Sequence, residues 1–294
     1  MRTYFCGRYF RCQSDSQTLA LIPAIHRAKG AQSCSIQLLT EEASQNVVFP
    51  AEAFRKGKNG TAIGDNCFGE EGISLHLHTD TLTAEGRLHF GPFTPLRYDI
   101  MGPFRYVPFM ECRHSVFSMR HTVNGELQIN GKCYAFRNGI GYCEGDRGRS
   151  FPKAYAWTQC SFSDGALMLS VADIPFGICN FTGVIGAILW KGKEYRLATY
   201  LGARAVRIKD GTIIVRQGAQ QLTVQQLESA SAPLRAPLGG EMLRTIHEHA
   251  ACRVYYHVQI GGATVFALEA PNAALEFEYE RNGECSRQVP PFTC

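Results

Sequence analysis

The sequence predicts an all-β protein made of two barrel-like halves packed together, and three observations carry that prediction. Short runs rich in β-branched and aromatic residues recur along the chain, many alternating between apolar and polar positions. Asn-Gly and Asp-Gly pairs fall between them at hairpin spacing. The chain has 294 residues, too many for one small barrel, and helical periodicity is scarce.

Taken in order, "QSDSQT" (13–18) and "EEASQN" (41–46) are polar stretches of loop type. "GISLHLHTD" (72–80) puts Ile73, Leu75 and Leu77 on one strand face and Ser74, His76 and His78 on the other. "GRLHFGPF" (86–93) and "GELQINGKCYAF" (125–136) continue the strand pattern. So do "GALMLSVADIP" (165–175), "KEYRLATYLGARAVRIKDGTIIVRQ" (193–217) and "CRVYYHVQIGGATVFALEA" (252–270). Hairpin turns are expected at "VNGE" (123–126), "INGK" (129–132), "SDGA" (163–166) and "KDGT" (209–212), where Asn, Asp and Gly tolerate positive φ. "LGGEMLRTIHEHA" (238–250) fits a short helix or a strand. No stretch is rich enough in Pro or Ser to separate freely moving domains, so halves spanning 1–148 and 149–294 are expected to pack together.

Composition excludes several function classes. The net charge of +4 is mild and the basic residues are scattered, which argues against nucleic acid as the main partner. The twelve cysteines have irregular spacing and form no CxxC motif, so neither a zinc ribbon nor a thioredoxin-type site is expected. Free thiols in a reducing, cytoplasmic setting are the expectation. The most apolar run, "IPFGICNFTGVIGAILW" (174–190), is broken by glycines and a proline and falls short of a membrane helix.

The stretch "GYCEGDRGRSFPKAYAWTQCSF" (141–162) concentrates candidate chemistry. Glu144 and Asp146, two apart on a strand, point the same way and can hold one ionised and one protonated carboxyl group. Beside Arg147 and Arg149 the same pair also reads as an ion-paired turn. Tyr155, Trp157 and Gln159 share one strand face and Thr158, Cys160 and Phe162 the other, which suits either a ligand-cavity wall or an aromatic core ladder. Glu111, Cys112, His114, Ser118 and His121 cluster in "ECRHSVFSMRH" (111–121). There His114 is a candidate to assist the acid or to bond a substrate oxygen. His76/His78 and His247/His249 have His-x-His spacing, but no third metal ligand is identifiable, so no metal is expected.

The same stretch resembles the tocopherol cyclase family at Gly141, Tyr142, Glu144, Asp146, Gly148, Ser150, Phe151, Pro152, Trp157, Gln159, Cys160 and Phe162. The segments 7–23, 63–75, 100–119 and 240–248 are similar to bacterial members as well. A more distant likeness is to carotenoid hydratases of the hydroxyneurosporene synthase type. Arg147 stands where the family has Trp, and Ser161 where it has Asn. The resemblance implies two lipocalin-like (calycin-like) antiparallel barrels and a hydrophobic ligand: a prenylated quinol, an isoprenoid or a lipid. It implies acid-initiated cyclisation without metal or organic cofactor, or else non-catalytic binding of the same ligands. Glu144 is the first candidate for the acid and Asp146 the second, with Tyr142, Phe151, Tyr155, Trp157, Gln159 and His114 at the substrate. Such a ligand also implies transient contact with a membrane surface.

Overall fold

The computed structural model describes residues 3–28, 30–58, 60–108, 110–176, 179–228 and 232–279. Its strands form two antiparallel sheets, each curled into a nearly closed barrel. The first barrel contains β1 (Tyr4–Gln13), β2 (Thr18–Ala28), β3 (Ala31–Thr40), β4 (Ser44–Pro50), β5 (Phe54–Lys56), β6 (Gly60–Ile63), β7 (Asn66–Gly69), β8 (Gly72–His78), β9 (Thr83–Phe90), β10 (Cys112–Ile129) and β11 (Lys132–Gly148). The second contains β12 (Tyr155–Phe162), β13 (Gly165–Phe176), β14 (Cys179–Trp190), β15 (Lys193–Ala198), β16 (Arg204–Lys209), β17 (Thr212–Gln217), β18 (Gln220–Gln226), β20 (Glu241–Ile260) and β21 (Ala263–Phe277), with β19 (Ala232–Leu238) paired to β20. In each half the first strand pairs with the last, β1 with β11 and β12 with β21. The remaining seam is spanned by a short 3-10 turn, Ala51–Ala53 in one barrel and Thr199–Leu201 in the other.

Strand alternation sorts side chains into three apolar groups. Phe10, Leu19, Ile36, Phe68, Leu88 and Phe136 fill the first barrel. Leu167, Val184, Ile213, Val254, Tyr256 and Leu275 fill the second. A third group, including Tyr9, Leu39, Tyr142, Tyr155, Trp157 and Ile246, lies between the outer walls of the two barrels. The interiors are therefore packed cores, and the space for a ligand is between the barrels.

The turn chemistry was legible in part. "INGK" turns β10 into β11 with Asn130 and Gly131 at φ 47° and 81°, and "KDGT" joins β16 to β17 with Asp210 and Gly211 at 52° and 70°. "SDGA" links β12 to β13, which pair up to Phe162 and Gly165. "VNGE" is not a hairpin: β10 runs through it with a bulge between Val123 and Gly125. Gly125 has φ 123°, and a Cβ there would meet the Arg87 carbonyl oxygen at 2.2 Å. Gly86 on β9 has φ 126°, and its Cβ would meet the Glu126 carbonyl oxygen at 2.3 Å. The glycine thus serves a close crossing of two strands, a use that Asn-Gly in the sequence does not distinguish from a turn. Residues 241–250 are strand, the start of β20, with Gly239 and Gly240 (φ 60° and 81°) forming the turn before it.

The motif glycines have similar reasons. A Cβ on Gly141 would lie 2.1 Å from His121 Nε2, and one on Gly148 2.0 Å from the Glu111 carbonyl oxygen. After Gly148 the chain crosses between the barrels. The Phe151 N–H donates to the Pro237 carbonyl at 3.2 Å, and the Gly240 N–H to the Arg149 carbonyl at 2.7 Å. Cys6, Cys12, Cys34, Cys67, Cys112, Cys133, Cys143, Cys160 and Cys252 are free thiols.

Replacing Gly125 by Ala is expected to cost about 1–3 kcal/mol of unfolding free energy through forced strain and strand separation. Gly192, a left-handed turn position with open space around it, should accept Asn at little cost. Urea unfolding of the two variants checks the contrast.

Candidate active site between the barrels

A cavity lies between the two outer walls, with about 1260 Å³ of atom-free space that includes the open solvent of its mouth. Its walls are mostly apolar, with Ile22, Phe104, Phe151, Ile174, Ile185 and Leu234 among them. The β9–β10 connection covers one side, contributing Met101, Phe104 and Met110. It is anchored to the second barrel by Arg196, which donates to the Tyr98 carbonyl at 2.5 Å, and by the Arg97 N–H, which donates to Glu194 Oε2 at 3.0 Å.

Strand register sets the polar cluster in this wall. Glu144 and Asp146 leave β11 on its outer face, while Cys143 joins the core of the first barrel. On β10, His114 is the direct partner of Asp146, and on β1 Tyr9 is the partner of Glu144. The imidazole consequently lies between two carboxylates, with Nδ1 3.0 Å from Asp146 Oδ1 and Nε2 3.2 Å from Glu144 Oε2. Glu144 Oε2 also accepts from the Tyr142 hydroxyl and, at 3.2 Å, from the Trp157 indole N–H of the other barrel. Burial alone would drive His114 towards its neutral form. The charges of Glu144 and Asp146 outweigh it and hold the ring's pKa well above the ordinary 6.5. The balance favours the protonated ring between the two acids, and the three side chains bring one nitrogen and two carboxyl oxygens within 4.8 Å of one another, close enough to share a metal ion.

Two further carboxyl groups come from the second barrel. Glu248 on β20 is fully buried and accepts the Tyr9 hydroxyl at 2.6 Å, and burial pushes its pKa up to about 7. Directly opposite it, Glu276 on β21 accepts the Tyr155 hydroxyl at 2.5 Å and lines the cavity. Burial, then the charge of Glu248, holds the Glu276 carboxyl well above its ordinary 4.5. Sequence reading missed both residues. In "AALEFEYE" (273–280) Glu276 alternates with core residues as any solvent-facing strand residue would. His26, buried in the cavity wall, was also missed. Its Nε2 pairs with Ser35 Oγ at 2.9 Å, and burial lowers its pKa to about 4, leaving a neutral ring.

Of the residues singled out in the sequence, Glu144, Asp146, His114, Phe151, Tyr155 and Trp157 line the cavity together. Tyr142 stands behind Glu144 as a hydrogen-bond donor. Gln159 does not reach the cavity. It is fully buried, accepts from Arg11 Nη1 at 3.2 Å and donates to Ser161 Oγ at 3.0 Å, so its role is to tie the barrels together. Thr158, Cys160 and Phe162 face the interior of the second barrel. Glu144 is buried and has no ion pair with Arg147 or Arg149, which are exposed. Cys112 donates to Asp146 Oδ1 at 3.3 Å, and burial raises its pKa well above 9.0, so it is a thiol rather than a nucleophilic thiolate. His121 packs against Phe90 and Phe93 beside the first barrel's core. On the outer wall of the first barrel, Glu85 lies opposite His76 and pairs with both His76 (3.2 Å) and His78 (2.6 Å). His247 is exposed, and the side chain of His249 lies outside the described residues.

Two lipocalin-like barrels packed wall to wall are an architecture shared with solved structures of very different sequence. CghA, crystallised with Sch210972, superposes with a TM-score of 0.63 at 9% identity, covering 96% of this chain and 90% of that one. An AttH-assigned protein of Nitrosomonas europaea has a TM-score of 0.53 at 12% identity over 95% and 93% of the two chains. Kievitone hydratase from Nectria haematococca has a TM-score of 0.53 at 10% identity over 94% and 89%. No family model matches the chain, and neither does any curated protein. The tocopherol cyclase resemblance stands on the motif residues alone.

The raised pKa of Glu248 has a definite sign in stability. The folded state holds this proton more tightly than the unfolded chain, so folding stability falls as pH rises from about 4.5 to about 7. His114 acts in the same direction, contributing most below 6.5 and losing its contribution as pH rises through its folded value. Urea unfolding from acid to neutral pH should show wild type losing stability relative to Glu248→Gln across that window. Parallel curves would contradict the assignment.

Proposed function

We propose that this protein is a cofactor-free acid–base catalyst that adds an oxygen nucleophile across a double bond of an isoprenoid-type ligand. The observation that carries this reading is a His114–Glu144–Asp146 cluster, Glu144 buried and the other two partly so, opening onto a cavity that is otherwise mostly apolar. An apolar chain gains about 25 cal/mol for each Å² it buries there, while the few polar groups fix which bond reacts. Protonating a trisubstituted alkene makes a tertiary cation. Aromatic faces such as Trp157 and Tyr155 each stabilise a neighbouring cation by about 0.5–2 kcal/mol. If the oxygen belongs to a phenol on the same molecule, the product is a closed ring, as the tocopherol cyclase-like motif suggests. If it belongs to water, the product is an alcohol, the outcome suggested by the hydratase name of one structural neighbour. The substrate class favoured by the motif is a prenylated quinol or phenol.

The apolar lining equally suits a protein that binds such ligands without converting them. Incubation with prenylated quinols and phenols, without added metal or cofactor, should give a chromanol-type ring or a tertiary alcohol. Saturable quenching of Trp157 fluorescence without any product would favour the binding reading.

A further inference from the structure

We propose that Glu276 is the proton donor of this site and that Glu144, held by His114, is the proton acceptor. This assignment rests on the acid–base reading above and reverses the role that the motif gives to Glu144.

Four carboxyl groups face one another across the barrel contact: Glu144 and Asp146 from β11, Glu248 from β20 and Glu276 from β21. His114 from β10 is the cation between the first two. The charge of Arg11 from β1 acts on Glu248, but its guanidinium bonds the carbonyls of Ala250 and Asn272 and the side chain of Gln159. Arg244 lies 5.6 Å from the Tyr155 ring and forms its ion pair with Glu278. Among the described residues no cation pairs with Glu276. A carboxyl group buried among other carboxylates without a counter-ion keeps its proton, and burial acts in the same direction.

Position separates the two protonatable acids. Glu248 is fully enclosed, whereas Glu276 lines the cavity. Tyr155 donates to Glu276 Oε2, so the hydroxyl that holds one oxygen is already oriented to stabilise the carboxylate left after proton transfer. Trp157 is the strand partner of Glu276 and donates its indole N–H to Glu144, so one residue neighbours both donor and acceptor.

The step balances without a further reactant. The Glu276 O–H bond breaks, and a C–H bond forms at the less substituted alkene carbon. The tertiary carbon then bonds to the phenol oxygen, whose O–H proton passes to the Glu144 carboxylate. Proton exchange through the cavity mouth restores both groups, and the net reaction is an isomerisation. With water as nucleophile the same transfers give hydration.

The test compares wild type, Glu276→Gln, Glu276→Asp and Glu144→Gln in the full-length protein, using a prenylated quinol as probe. Glu276→Gln should lower kcat by about 10²–10⁴-fold with Kd unchanged. It should also abolish the fall of kcat at alkaline pH that deprotonation of the donor causes. Glu276→Asp should restore part of kcat and the alkaline limb. Glu144→Gln should instead remove the acidic limb. Independently of turnover, the infrared carbonyl band of a protonated carboxyl group should persist at neutral pH and lose intensity in Glu276→Gln. Full turnover in Glu276→Gln, or an alkaline limb lost only in Glu144→Gln, would overturn the donor assignment while leaving the proposed reaction standing. A wild type that binds the quinols without product would remove the reaction and the donor role together. An unchanged infrared band in Glu276→Gln would show that Glu276 is ionised and would overturn the assignment by itself.

Discussion

Two filled barrels have only their outer walls to offer each other, and the contact between those walls shapes everything else in this protein. The outer face of a strand usually meets water and can carry charge freely. Here it meets another barrel, so each polar side chain on it needs a partner across the contact. Tyr9 finds Glu248, Trp157 finds Glu144, and Arg11 finds Gln159 with two backbone carbonyls. Leaving one such group unpaired would cost roughly 1–3 kcal/mol, more for a charge, so these bonds fix how the barrels sit. Where they leave space, the result is a mostly apolar cavity rimmed by acids.

That constraint also explains which parts of the structure the sequence revealed. Barrel interiors were readable because alternation such as Ile73, Leu75 and Leu77 marks an inward face by elementary geometry. The motif around Glu144 was readable because its residues are crowded into one short stretch. Glu248 and Glu276 were not, because a buried outer face and a solvent-facing one share the same alternating pattern. Gln159 illustrates the opposite error. Its alternation with Thr158 and Cys160 correctly gave the face, yet the face is larger than the cavity, and Arg11 from the other barrel occupies that part of it. No local pattern can name a partner 148 residues away.

The shared architecture supports a division between scaffold and chemistry. CghA and kievitone hydratase keep the two-barrel frame at 9% and 10% identity. A fold that tolerates such divergence leaves the cavity wall free to vary, and function is to be argued from the groups placed there. In this chain they are a His114 ring drawn towards its protonated form by Glu144 and Asp146, a His26 drawn towards its neutral form, and the cavity-facing Glu276, with which no described cation pairs. Arg147, exposed where the resembling family has an indole, lines a neighbouring recess with Arg105 and Arg113, and that recess shares His114 and Met101 with the cavity wall.

The pairing of β1 with β11 and of β12 with β21 means that each barrel is sealed by strands at the two ends of its own contiguous stretch. During synthesis the first half can therefore complete its hydrogen-bonded wall before the second half has left the ribosome. At that stage Glu144 and Tyr9 would face water, still lacking Trp157 and Glu248. The cavity has no existence in either half alone. It comes into being only when the second wall docks, which makes the candidate site the last part of the molecule to be assembled and a direct readout of whether assembly has succeeded.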